Sequence, residues 1–174
     1  MTNEQPSRYI VDQSGLPENY PTHAHDAYFW ECLGRTVATF GFLEEVLTKA
    51  IFAFTATTNH SEEKIEEAFA QWLPKLERSL SDQLGGLIDT YGKAVRDNSE
   101  ATIENIDDLL SDLREASKLR NVLCHGSWRA PDENGASTPF FVNRQKERFE
   151  TSIDISFLKQ VQKHTTELSM CSGE

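Results

Sequence analysis

The stretch from Asp107 to Trp128, DDLLSDLREASKLRNVLCHGSW, constrains the chain more than any other. It opens as an amphipathic helix. Leu109, Leu110, Leu113 and Ala116 recur at three- and four-residue spacing, with Asp112, Glu115 and Lys118 between them. The last turns depart from that pattern. Arg120 falls about 20° from Leu113 around the helix axis, inside the apolar stripe. Asn121 and His125 are four residues apart and share the neighbouring face. Gly126 follows at once and reads as a left-handed stop, which places His125 at the helix's C-terminal end. A fixed cation in a core stripe beside a titratable imidazole needs an explanation in charge or in chemistry.

The other helices follow from the same periodicity. A first helix is expected from about Ala27 to Thr55, with Phe29, Leu33, Phe40, Leu43, Leu47, Ile51 and Phe54 on one stripe and Asp26 as its cap or first-turn acid. Phe42, Val46 and Phe52 lie off that stripe, so this helix is either central or also meets a second chain. Glu44 projects about 40° from Phe40, inside the stripe. A carboxylate there needs a partner, and the other charge in a core stripe, Arg120, is the candidate. Asn59 and Glu62 resemble a capping box. Ile65, Phe69, Trp72, Leu76, Leu80, Leu84, Leu87 and Tyr91 keep helical register to about Val95. They read as one long helix kinked near Pro74, or as two meeting there. Gly85-Gly86 lacks the spacing and lysine of a phosphate loop and reads as a close-packing point. The motif helix is expected from about Glu100 to His125.

Pro131, Asn134-Gly135 and Pro139 then punctuate the chain. Phe140, Phe141, Val142 and Phe149 are strand-like, which predicts a β-hairpin insert at about 127–152 with Asn134-Gly135 in its first turn. Asp154 or Ser156 caps a final helix to about Ser169, and residues 171–174 read as a tail. Residues 1–22 read as an extended or mobile arm. The expected fold class is all-α: a four-helix, mostly antiparallel bundle with a small β-hairpin insert before the last helix, in one domain over 23–170.

Composition limits the function classes. No apolar run approaches a membrane span and the start has no signal pattern, so the cytoplasm is the expected location. Cys32, Cys124 and Cys171 have no metal spacing and read as free thiols. His23 and His25 lack further ligands, so a solvated helix start is expected there rather than a metal site. The net charge of −11 disfavours phosphate binding over the whole surface. It is unevenly spread: from Arg114 to Arg148 there are seven basic residues and four acidic ones, against ten and twenty-four elsewhere. The relatively basic segment holds the Arg120–His125 stretch, as a local anion site would require.

Arg120-Asn121-Val122-Leu123-Cys124-His125 resembles the RxxxxH motif of HEPN domains (higher eukaryotes and prokaryotes nucleotide-binding). Asn121 matches the polar slot after the Arg, and His125-Gly126 matches the helix end. The resemblance covers roughly Ala27 to Leu168. It implies a helical bundle that pairs as a homodimer with two motifs facing, and a metal-independent endoribonuclease of the kind found among toxins and in phage defence, where an antitoxin or other protein partner occurs. The 2′-hydroxyl of RNA would attack the adjacent phosphate. His125 would move protons near neutral pH and Arg120 would stabilise the phosphate charge in a bidentate fork. Asn121 would orient the phosphate or the imidazole. No carboxylate cluster suits Mg²⁺, so a route without metal or cofactor fits the sequence. The alternative is a catalytically silent HEPN-like dimeric interaction or RNA/nucleotide-binding module. In it Arg120 neutralises Glu44, His125 caps helix carbonyls, and Trp128 is core.

Overall fold

The computed structural model describes residues 13–57, 61–81, 83–101, 103 and 105–173. Five helices carry it: α1 (Ala27–Ala56), α2 (Ile65–Ser81), α3 (Leu84–Asp97), α4 (Ile106–His125) and α5 (Ile155–Gly173). Among the described residues none is long and apolar enough to cross a membrane. The Asn59 cap and residues 1–12 of the expected arm lie outside the described residues.

The first helix begins where its cap predicts. Asp26 Oδ1 accepts a hydrogen bond from the Phe29 amide at 2.7 Å, satisfying one of the amide groups that a helix start leaves without a partner. α1 is central: it packs against α5, α3, α2 and α4. Its stripe of Phe29, Leu33, Phe40, Leu43, Leu47 and Ile51 is buried. It meets Leu87, Ile88 and Tyr91 of α3, Leu110 and Leu113 of α4, and Leu158 and Leu168 of α5 in one core. Phe42 and Phe52, the off-stripe aromatics, are 44% and 49% exposed.

Three expectations change. The single long helix over 65–95 is two helices, and they divide between Ser81 and Leu84. The divide is not at Pro74, which sits inside α2. The stripe stays in register across the divide, so periodicity alone conceals it. Ser81, Asp82, Gly85 and Gly86 are poor helix formers, and their low propensity decides the break. Close packing falls on Gly92 rather than on Gly85. A Cβ on Gly92 would lie 2.7 Å from Leu110 Cδ1, whereas one on Gly85 would meet only Ser117 Oγ at 3.9 Å. Finally, α5 runs to Gly173, so Cys171 and Ser172 are helical rather than tail.

The insert between α4 and α5 holds isolated antiparallel bridges, Ser127 with Phe140, Ser137 with Ile153 and Val142 with Arg148, and no strand among the described residues. Side chains compete here for the backbone groups that a ladder would use. Asp132 Oδ1 accepts from the Asn134 and Ala136 amides. Asn143 Oδ1 accepts from the Glu147 amide, and Pro139 has no N–H to give. Asn134-Gly135 does occupy a turn, with Gly135 at φ +77.

Candidate active site at the end of the fourth helix

α4 delivers Arg120, Asn121 and His125 on its last two turns. The Gly126 amide closes the helix onto the Val122 carbonyl at 2.8 Å. Gly126 is extended (φ −69, ψ 140), not left-handed as the sequence suggested. It is demanded instead by space: a Cβ there would lie 2.6 Å from the Val122 oxygen and 2.8 Å from Pro139 Cβ. The chain then crosses to the insert through reciprocal hydrogen bonds between Ser127 and Phe140, 3.0 and 2.8 Å long. The insert therefore lies against the end of α4.

Asn121 and His125 line a groove of about 1150 Å³ between α3, α4 and the insert. His125 is exposed, and its ring has no hydrogen-bond partner among the described residues. Lys118, Arg144 and Arg148 also line the groove, with Glu115 and Glu147 as the opposing charges. Both carboxylates are already engaged, Glu115 by Lys118 and Glu147 by the side-chain amide of Asn143.

Arg120 does not line that groove. Its Nη2 lies 3.6 Å from Glu44 Oε1, with the two side chains 26% and 30% exposed. Its Nη1 donates to Asn121 Oδ1 at 3.4 Å. Both contacts are long; the pair is mostly buried and within ion-pair distance, as its place in two apolar stripes suggested, but it is not fully desolvated. Glu44→Ala should therefore cost about 1 kcal/mol, not the 3–5 kcal/mol of a fully buried pair. A double-mutant cycle with Arg120→Ala, read by thermal melting, measures this. A coupling above about 3 kcal/mol would show the pair to be desolvated after all.

Sequence reasoning missed two features. His25 is not at a solvated helix start; it is 8% exposed. Its ring stacks on Phe29 with centroids 3.8 Å apart and meets Trp30 and Trp128 edge-on. Nε2 lies 3.0 Å from both the Arg129 carbonyl oxygen and Ser137 Oγ. A carbonyl only accepts, so Nε2 donates. Trp128 packs on the core through Phe29, as expected of it. No group of three metal-ligating side chains forms among the described residues, and His23 instead stacks on Tyr20.

The second missed feature is Phe140, which is 44% exposed and carries the guanidinium carbons of Arg129 and Arg148 each 5.5 Å from its ring centroid. The contacts form between residues that only the folded insert brings together, so no local spacing announces them.

No known protein family, curated protein or solved structure matches this chain.

Proposed function

We propose that this chain is a HEPN-like, metal-independent endoribonuclease that works as a homodimer in the cytoplasm. The observation that carries the reading is the placement of Asn121 and His125, one helical turn apart at the end of α4, on an open groove where Lys118, Arg144 and Arg148 outnumber Glu115 and Glu147. In this reading His125 moves the proton of the attacking 2′-hydroxyl or of the leaving oxygen. Asn121 orients the phosphate, and Arg120 leaves its long contact with Glu44 to stabilise the phosphate charge. A two-fold pairing supplies a second His125, so that one imidazole acts as base and the other as acid. The finer architecture belongs to the same proposal: α1, α3, α4 and α5 as a four-helix bundle, with the bridged insert as its hairpin. The role in a toxin–antitoxin pair or in phage defence rests on the resemblance.

The test is direct. Purified protein should cut single-stranded or looped RNA in EDTA, and an intact RNA panel would refute the reading. Light scattering at micromolar concentration should report a dimer, and a monomer would remove the two-histidine mechanism. One observation favours the silent-module reading: Arg120 is already engaged by Glu44 and lies off the groove. In that case RNA stays whole while the dimer persists.

A further inference from the structure

We propose that Phe140, with Arg129 and Arg148 over its ring, is a stacking platform that takes one base of single-stranded RNA beside the groove holding His125. The inference deepens the ribonuclease reading and rests on it for the choice of RNA.

Three observations support it. First, an aromatic ring that is 44% exposed holds two guanidiniums at 5.5 Å. An aromatic ring and a guanidinium plane are both surfaces on which a base stacks, so this partly exposed cluster suits a planar, electron-rich base. Second, neither arginine forms an ion pair among the described residues, in a chain where carboxylates outnumber basic side chains twenty-eight to seventeen. Arg144, exposed at the neighbouring turn, forms none either. These cations are left for an anion from outside, and phosphates are spaced along a strand as bases are. Third, the platform is fixed in place relative to His125. Phe140 makes both backbone hydrogen bonds to Ser127, two residues beyond His125, and Arg148 lines the same groove as His125. The ring is thus partly exposed while its backbone is held.

A base within a duplex is already stacked on its neighbours, so the platform selects single strands. An acidic protein segment would satisfy the arginines but would leave the ring without its planar partner.

The experiment measures binding without cleavage. A short, labelled 2′-O-methyl RNA has no 2′-hydroxyl to attack, so fluorescence anisotropy in EDTA at low salt reads affinity alone. Phe140→Ala should weaken binding about 5- to 150-fold, the range of a lost base–aromatic stack. Phe140→Trp should bind at least as well as wild type. Phe140→Leu, apolar and bulky but not aromatic, should bind as weakly as the alanine variant, which separates stacking from folding. Arg148→Gln should lower the slope of log affinity against log salt by about 0.7. A duplex of the same sequence should bind weakly and without dependence on Phe140. The proposal falls if Phe140→Ala or Phe140→Leu binds like wild type, if duplex and single strand respond alike, or if the single strand does not bind. Cleavage that continues with no effect of Phe140 on binding would remove the platform and leave the nuclease. Phe140-dependent binding without any cleavage would do the reverse.

Discussion

His125→Ala should slow RNA cleavage about 10²- to 10⁴-fold while barely moving the melting temperature. Attack by a 2′-hydroxyl requires its proton to leave and the departing oxygen to gain one, and a positioned imidazole supplies a factor of this size. Around the groove, the other groups that could move a proton near neutrality are scarce: Lys118 is bound to Glu115, and Glu147 is bound by Asn143. His125 is exposed on the last residue of α4 and has no hydrogen bond among the described residues to lose. A surface substitution of that kind changes stability by about 0.5 kcal/mol or less. Arg120→Ala is a less clean test, since it also leaves Glu44 without its ion-pair partner. Cleavage by His125→Ala at the wild-type rate, with melting unchanged, would remove His125 from the chemistry.

The largest stability effect should come from His25, which no catalytic argument uses. His25→Ala removes a ring buried against Phe29 and the two contacts that tie the start of α1 to Arg129 and Ser137. The cavity and the lost hydrogen bonds together should cost about 2–4 kcal/mol at neutral pH. The cost should also depend on pH. Burial pushes the His25 pKa below its ordinary value of 6.5, against the opposing pull of the Arg129 carbonyl and the Asp26 carboxylate. The folded state therefore binds its proton more weakly than the unfolded chain does. The contribution of His25 is fully present above pH 6.5 and is lost as pH falls from there through the lower, folded value. The gap between the melting temperatures of wild type and His25→Ala should thus be widest above pH 6.5 and narrow as pH falls below it. A gap that stays constant with pH would show that the imidazole is not held neutral by burial.

Much of the helical frame was legible in the sequence, because its signals are local. The Asp26 cap and the α1 stripe act within a few residues, and so does the Asp154 cap of α5. Asp154 Oδ1 accepts from the Phe157 amide at 2.7 Å, as the sequence allowed. What stayed hidden depends on competition or on distance. The break before Leu84 turns on a few tenths of a kilocalorie of propensity per residue against a stripe that continues in register. The insert forms bridges rather than strands because Asp132 and Asn143 side chains take backbone amides that composition cannot assign in advance. Gly126 serves space against Pro139 rather than a left-handed turn, a difference visible only once the insert has folded back.

The site divides in the same way. That Asn121 and His125 share a face follows from their four-residue spacing. That Arg120 turns to Glu44 and away from the groove depends on where α1 lies. The burial of His25 depends on partners more than a hundred residues away. Its one local sign is Phe29, a helical turn further on and placed to stack.

The central claim is that the end of α4 is a ribonuclease site in which the substrate's own 2′-hydroxyl is the nucleophile. Wild-type protein is incubated in EDTA with an RNA and with the same RNA carrying a single 2′-deoxy residue at the mapped cleavage position, and the product ends are identified by mass spectrometry. The account predicts 2′,3′-cyclic phosphate ends on the all-ribose strand and no cut at the deoxy position. Cleavage at the deoxy position, or products that never carry a cyclic phosphate, would contradict it.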